Sequence, residues 1–140
     1  MRVKQFRDLQ VWQKAMALAR DVYQVSQGFP RAEQFGLTSQ IRRAAVSVPS
    51  NIAEGQGQFS DKAFIVYLSH ARGSLYELET QAELAETLAY LKRADLDRIL
   101  SQCREVGRML HGLVNSMKED KRESIGFAGR FWPDRLIPDC

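Results

Sequence analysis

The chain has 140 residues, 44% hydrophobic and 26% charged, a composition that suits one domain with a real core and excludes wholesale disorder. Its net charge of +3 is compatible with a polyanionic partner without demanding one. No apolar run approaches the roughly 18 residues of a membrane span, and the stretch from Met1 to Phe6 lacks the hydrophobic centre of a signal peptide, so a cytoplasmic protein with no membrane partner is expected.

In chain order, the first periodic segment runs from about Asp8 to Gln27. Val11, Ala15, Leu18, Val22 and Val25 step by four and three, and a second seam of Trp12, Met16, Ala19 and Tyr23 lies beside them. Two adjacent seams give more apolar face than one helical neighbour consumes, which predicts contact with two neighbours or with an external partner. Gly28-Phe-Pro30 closes the segment.

The second helix is expected to begin between Ala32 and Gly36 and to run to Glu54. Ile41, Ala44, Ala45, Val48 and Ile52 keep helical spacing straight through Pro49, which predicts a kinked helix rather than a stop. Pro49 cannot donate to the carbonyl of Ala45, a fault worth roughly 3 kcal/mol if nothing compensates. Ser47, Ser50 and Asn51 lie within a turn of it and can satisfy freed backbone groups. Alternatively, the bend presents Arg42, Arg43, Ser50 and Asn51 to a partner.

Gly55-Gln-Gly57-Gln is expected as a short turn. Ser60 then supplies an N-cap, Asp61 favours the positive end of the helix dipole, and Phe59 with Phe64 has the spacing of a hydrophobic staple. Phe64, Leu68, Ala71, Leu75, Leu78, Ala82, Ala85 and Ala89 hold a three-four register that suits shallow bundle packing. Gly73, unfavourable inside a helix, suggests a close backbone approach. Glu77, Glu79, Glu83 and Glu86 make the later half acidic, the pattern of a solvated face more often than of paired carboxylates.

Leu91-Lys-Arg-Ala is a connection, and Asp95 is the expected N-cap of the fourth helix. Its stripe is Leu96, Ile99, Cys103, Val106, Leu110, Leu113 and Met117. Four amphipathic helices on short turns predict an all-α, up-down-up-down four-helix bundle over residues 1–118. Residues 119–140, with two prolines and the cluster Phe127-Ala-Gly-Arg-Phe-Trp132, are expected to form an irregular tail whose aromatics either pack on the bundle or attach to something else. A turn near Gln58 sets helices 2 and 3 antiparallel, with facing residue numbers summing to roughly 117. That alignment brings Arg43 toward Glu77, as an anchor, or leaves Arg43 outward for a ligand.

Chemistry is sparse. His70 and His111 sit on different helices without carboxylate partners at metal-binding spacing, there is no phosphate-binding glycine loop, and Cys103 and Cys140 form neither a metal pattern nor a disulfide framework. No enzyme, metal or cofactor is expected. Charge, by contrast, is unevenly placed: residues 1–60 carry 8 Lys/Arg against 4 Asp/Glu, and residues 61–118 carry 8 of each. Arg7, Lys14, Arg20, Arg42 and Arg43 are therefore the candidate phosphate contacts.

The stretch Arg43-Ala-Ala-Val-Ser-Val-Pro49-Ser50-Asn51-Ile-Ala-Glu54-Gly55, followed by Ala71-Arg-Gly-Ser-Leu-Tyr-Glu-Leu-Glu-Thr-Gln81, closely resembles the four-helix-bundle proteins encoded within intervening sequences of bacterial 23S rRNA genes. The likeness covers about residues 5–118. That family is similar in fold to the accessory variability protein of diversity-generating retroelements, a pentameric ring that binds nucleic acid and a reverse transcriptase. The resemblance implies a homo-oligomeric ring, a pentamer, with RNA or DNA as ligand and room for a protein partner. The alternative is a purely structural or protein–protein scaffold.

Overall fold

The computed structural model describes residues 5–125, in which four helices follow one another: α1 (Gln10–Ser26), α2 (Leu37–Gln56), α3 (Asp61–Thr87) and α4 (Arg93–Ile125). Two 3-10 turns, Phe6–Asp8 and Arg31–Glu33, precede α1 and α2, and no strand occurs among the described residues. Each helix packs on the ones before and after it, and α4 closes back on α1, which gives the up-down-up-down bundle.

The ends of the helices follow from local chemistry. α1 starts two residues later than its periodicity suggests because Phe6–Asp8 forms a tighter turn, held by the Phe6 ring edge-on to Trp12 and by Gln13, whose side-chain amide donates to the Arg7 carbonyl. α2 has Gly36 at its N-cap, so Glu33 substitutes: Oε1 accepts the Leu37 N–H at 3.0 Å, and Oε2 accepts the Tyr90 hydroxyl at 3.1 Å. Ser60 caps α3 through the Ala63 N–H, as expected. The staple does not form. Phe59 is fully exposed, and Phe64 turns instead toward the core and Gly55.

α2 continues through Pro49, and the short polar residues near it are used locally. The Asn51 side-chain amide donates to the Ser47 carbonyl at 2.8 Å and to the Ser47 hydroxyl at 2.9 Å. The Ser47 hydroxyl also shares a hydrogen bond with Ser74 Oγ, 2.8 Å away on α3, in which either hydroxyl can donate. A buried polar chain thus ties the proline turn to the next helix. Gly55 does not end α2, which runs on to Gln56. It is buried, and a Cβ there would lie 2.8 Å from both Phe64 Cδ1 and Tyr67 Cβ, so glycine permits the close approach of α2 and α3. Gly73, expected in that role, faces open space.

The core is the three-four stripes of all four helices, with Leu18, Ile41, Ile52, Leu68, Leu78 and Ile99 among its fully buried members. Cys103 belongs to it. Ala89 does not: it is exposed at φ 63° in the turn after α3, where the Tyr90 and Leu91 N–H groups both return to the Ala85 carbonyl. Asp95 lies inside the first turn of α4 rather than capping it, and pairs with Arg98 at 3.4 Å. α4 also passes residue 118, where its apolar stripe ends, and reaches Ile125; the aromatic cluster at 127–132 lies outside the described residues.

Candidate nucleic-acid interface

The second seam of α1 is left unfilled by the bundle. Met16 and Tyr23 are each almost half exposed, and with Val46, Pro49 and Ala53 of α2 they line a groove of about 770 Å³ whose far rim carries Arg20. A second depression of about 560 Å³ continues it toward the start of α2, between Tyr23, Phe35, Ser39 and Arg43. The two share Tyr23 and Val46, so one surface runs along α1 and α2, with Arg20 one turn before the shared Tyr23 and Arg43 one turn before the shared Val46. Of the expected kink residues, Pro49 and Ser50 line this surface, Asn51 turns inward to Ser47, Glu54 is exposed and Gly55 is buried against α3.

Neighbours in sequence, Arg42 and Arg43 have different surroundings. Arg42 reaches back to the last turn of α1, where Nε donates to Ser26 Oγ at 2.8 Å and Nη2 to the Tyr23 carbonyl at 3.3 Å. Its guanidinium also lies over the Tyr23 ring, 4.7 Å from the centroid. A cation there meets the negative end of the α1 dipole and satisfies carbonyls that lack helical partners. Arg43 is exposed, and among the described residues nothing hydrogen-bonds or ion-pairs with it. The anchor to Glu77 does not form: the observed register, with Ser47 facing Ser74 and Gly55 facing Tyr67, sets position 43 nearly opposite 77, but Arg43 is exposed and makes no ion pair with Glu77.

The other candidates scatter. Arg20 is exposed and, like Arg43, has no partner among the described residues. Lys14 points the opposite way around α1, to Glu105 of α4 at 3.6 Å. Arg7 sits on the turn before α1, bonded to Gln5 Oε1 and 4.5 Å over the Phe6 ring. So the fold places Arg20, Arg42 and Arg43 along one surface and separates Lys14 and Arg7 from it.

Acidic residues of the same half are aimed elsewhere. Asp21 accepts from Gln102 of α4 at 2.8 Å, and Glu33 is held by Leu37 and Tyr90. Neither pairs with Arg20 or Arg43, and no carboxylate among the described residues forms an ion pair with either arginine. Phe35 was not singled out by periodicity, because it lies in the connection between helices. Its signal is compositional only: a large aromatic between a polar turn and Gly36.

No Cys, His, Asp or Glu lines this surface. The Cys103 thiol lies in the core, where burial and then the Glu79 carboxylate push its pKa up to about 12. Glu79 itself is shifted upward, chiefly by burial. His70 packs edge-on to Tyr67, and among the described residues no group of three His, Cys, Asp or Glu could hold a metal. No helix among them is long and apolar enough to cross a membrane.

Residues 7–112 match a family model described as 23S rRNA-intervening sequence protein. Among solved structures, a protein of unknown function from the S23 ribosomal protein family of Bacteroides thetaiotaomicron VPI-5482 superposes with a TM-score of 0.67 at 24% identity, covering 74% of this chain and 97% of that one. At that identity the likeness shows the fold. No curated protein matches the chain.

Proposed function

The chain belongs to the 23S rRNA-intervening sequence protein family, and from that premise we propose that it is a non-enzymatic homo-oligomer, a pentameric ring, that binds nucleic acid through the α1–α2 surface. The observation that carries this reading is the pair Arg20 and Arg43, two cations on one continuous groove that have no partner among the described residues. Met16 of the same groove is exposed apolar surface that association between copies would cover. A surface with only Arg20, Arg42 and Arg43 as cations binds polyanions weakly by itself. A ring repeats the surface, and linked weak contacts multiply through effective concentration. The scattered histidines and the buried thiol are consistent with binding rather than catalysis.

Arg43→Gln tests it by sedimentation with and without RNA and duplex DNA. The oligomer is expected to persist while affinity falls and the salt dependence of binding weakens. A parent protein that runs as a monomer at micromolar concentration, or that binds no nucleic acid at low salt, overturns the proposal; an oligomer without binding leaves the scaffold as the surviving function.

A further inference from the structure

The depression at the start of α2 has a composition that the basic rim alone does not explain. Phe35 is 91% exposed. Leaving such a ring in water forgoes the gain of burying it, and the bundle does not use it, since Phe29 and Leu37 on either side fill the core. The ring is nevertheless carried on a well-braced turn. Gly36 N–H returns to the Glu33 carbonyl at 2.9 Å, and the Glu33 carboxylate is bonded to both Leu37 and Tyr90. An exposed aromatic on a fixed backbone loses little entropy when something stacks on it.

Around it stand the partners a nucleotide needs. Ser39 and Arg43 lie one turn apart on the same face of α2, and Phe35, in the turn before α2, lines the same depression. Arg42, fixed over Tyr23, makes a rigid side wall. Ser39 and Gln34 line the same depression with no side-chain hydrogen bond among the described residues, so a hydroxyl and an amide are free to meet a sugar hydroxyl or a base edge. The volume of about 560 Å³ suits a ligand of that size.

We infer that this depression takes an unpaired nucleotide of single-stranded RNA, its base stacked on Phe35, its phosphate on Arg43 and its 2′-hydroxyl toward Ser39 or Gln34. The inference rests on the nucleic-acid reading above and narrows it. In a duplex the base faces are already stacked on one another and cannot reach Phe35, whereas a single strand offers them. The two free polar side chains favour RNA, because the 2′-hydroxyl is what distinguishes it from DNA at such a site.

The test is fluorescence anisotropy on the full chain, using labelled unstructured RNA of about 12 nucleotides, DNA of the same sequence, and the RNA duplex, each from about 50 to 200 mM salt. The parent is expected to prefer single-stranded RNA. Phe35→Ala should weaken that complex on the order of tenfold with an unchanged salt slope, and Phe35→Trp should restore it; Arg43→Gln should lower the slope by about 0.7. Thermal melts are expected to be the same for all three variants, since both side chains are exposed. Equal binding of duplex and single strand, with Phe35→Ala silent and Arg43→Gln damaging, overturns the stacking site and leaves the basic surface standing. No binding of any polynucleotide at low salt removes both. DNA bound as tightly as RNA, with the same loss in Phe35→Ala, overturns the assignment to RNA.

Discussion

Arg42 Nε lies 2.8 Å from Ser26 Oγ, and this bond joins the middle of one helix to the last turn of another. It separates two arginines that are adjacent in sequence. Arg42→Gln removes a charged donor from Ser26 and from the Tyr23 carbonyl and should cost about 1–3 kcal/mol. Arg43→Gln should leave stability within about 0.5 kcal/mol of the parent. Urea melts of the two single variants decide it, and equal losses would mean that Arg43 is tied into the fold after all.

Core register predicts two larger effects. Leu75 and Leu110 are each only 2% exposed, so truncation to alanine should destabilise by about 2–5 kcal/mol in either case. Denaturant midpoints should shift without a change in slope. A nearly neutral result at both positions would place the stripes of α3 and α4 on the wrong face.

Two glycines are expected to respond with opposite signs. Gly55→Ala puts a methyl group 2.8 Å from Tyr67 Cβ, an atom fixed to backbone that cannot swing aside, and overpacking of this kind costs about 1–3 kcal/mol. Gly73→Ala meets nothing within 4 Å in an exposed helix and should gain about 0.5–1 kcal/mol. Thermal shifts in the same direction for both would refute the packing argument.

Cys103 predicts a pH dependence. Its thiol holds its proton in the folded chain up to about pH 12, whereas the unfolded chain releases it near the ordinary value of 9.0. Between those limits the unfolded state binds fewer protons, so this group's contribution falls as pH rises, by up to about 1.4 kcal/mol per pH unit. Below pH 9 it is flat. The comparison is Cys103→Ala against the parent in denaturant melts from neutral to alkaline pH, both carrying Cys140→Ser. Parallel curves would show that the buried thiol is not the cause. In the same background, thiol reagents should label native Cys103 only as fast as the chain opens.

Legibility in the sequence followed the range of the interaction. The three-four stripes of Leu68 to Ala85 and Leu96 to Met117 announce helices because burial acts at every turn and leaves a periodic trace. Ser60 announces a cap because its partner, Ala63, is three residues away. Phe59 has the right spacing for a staple and does not form one, because the competing contact at Gly55 lies on another helix. Of the candidate cations, Arg20, Arg42 and Arg43 lie on a common surface. Lys14 does not, since its partner Glu105 lies far along the chain.

The amino-acid pattern by itself determined the helical class, the number and order of the helices, the core stripes and the family, because periodicity, caps and motif order are properties of contiguous residues. Only the tertiary structure decided which polar groups are free. Arg42 and Arg43 are indistinguishable as letters, and Phe35 is an unremarkable residue in a turn. Their difference arises from which way each faces: Ser26 of α1 lies within reach of Arg42, while Arg43 and Phe35 face solvent, and the register of α2 on α3 is likewise a tertiary property. That register is set by Gly55 against Phe64 and Tyr67 and by Ser47 against Ser74, contacts between residues from 9 to 27 positions apart that no local pattern records.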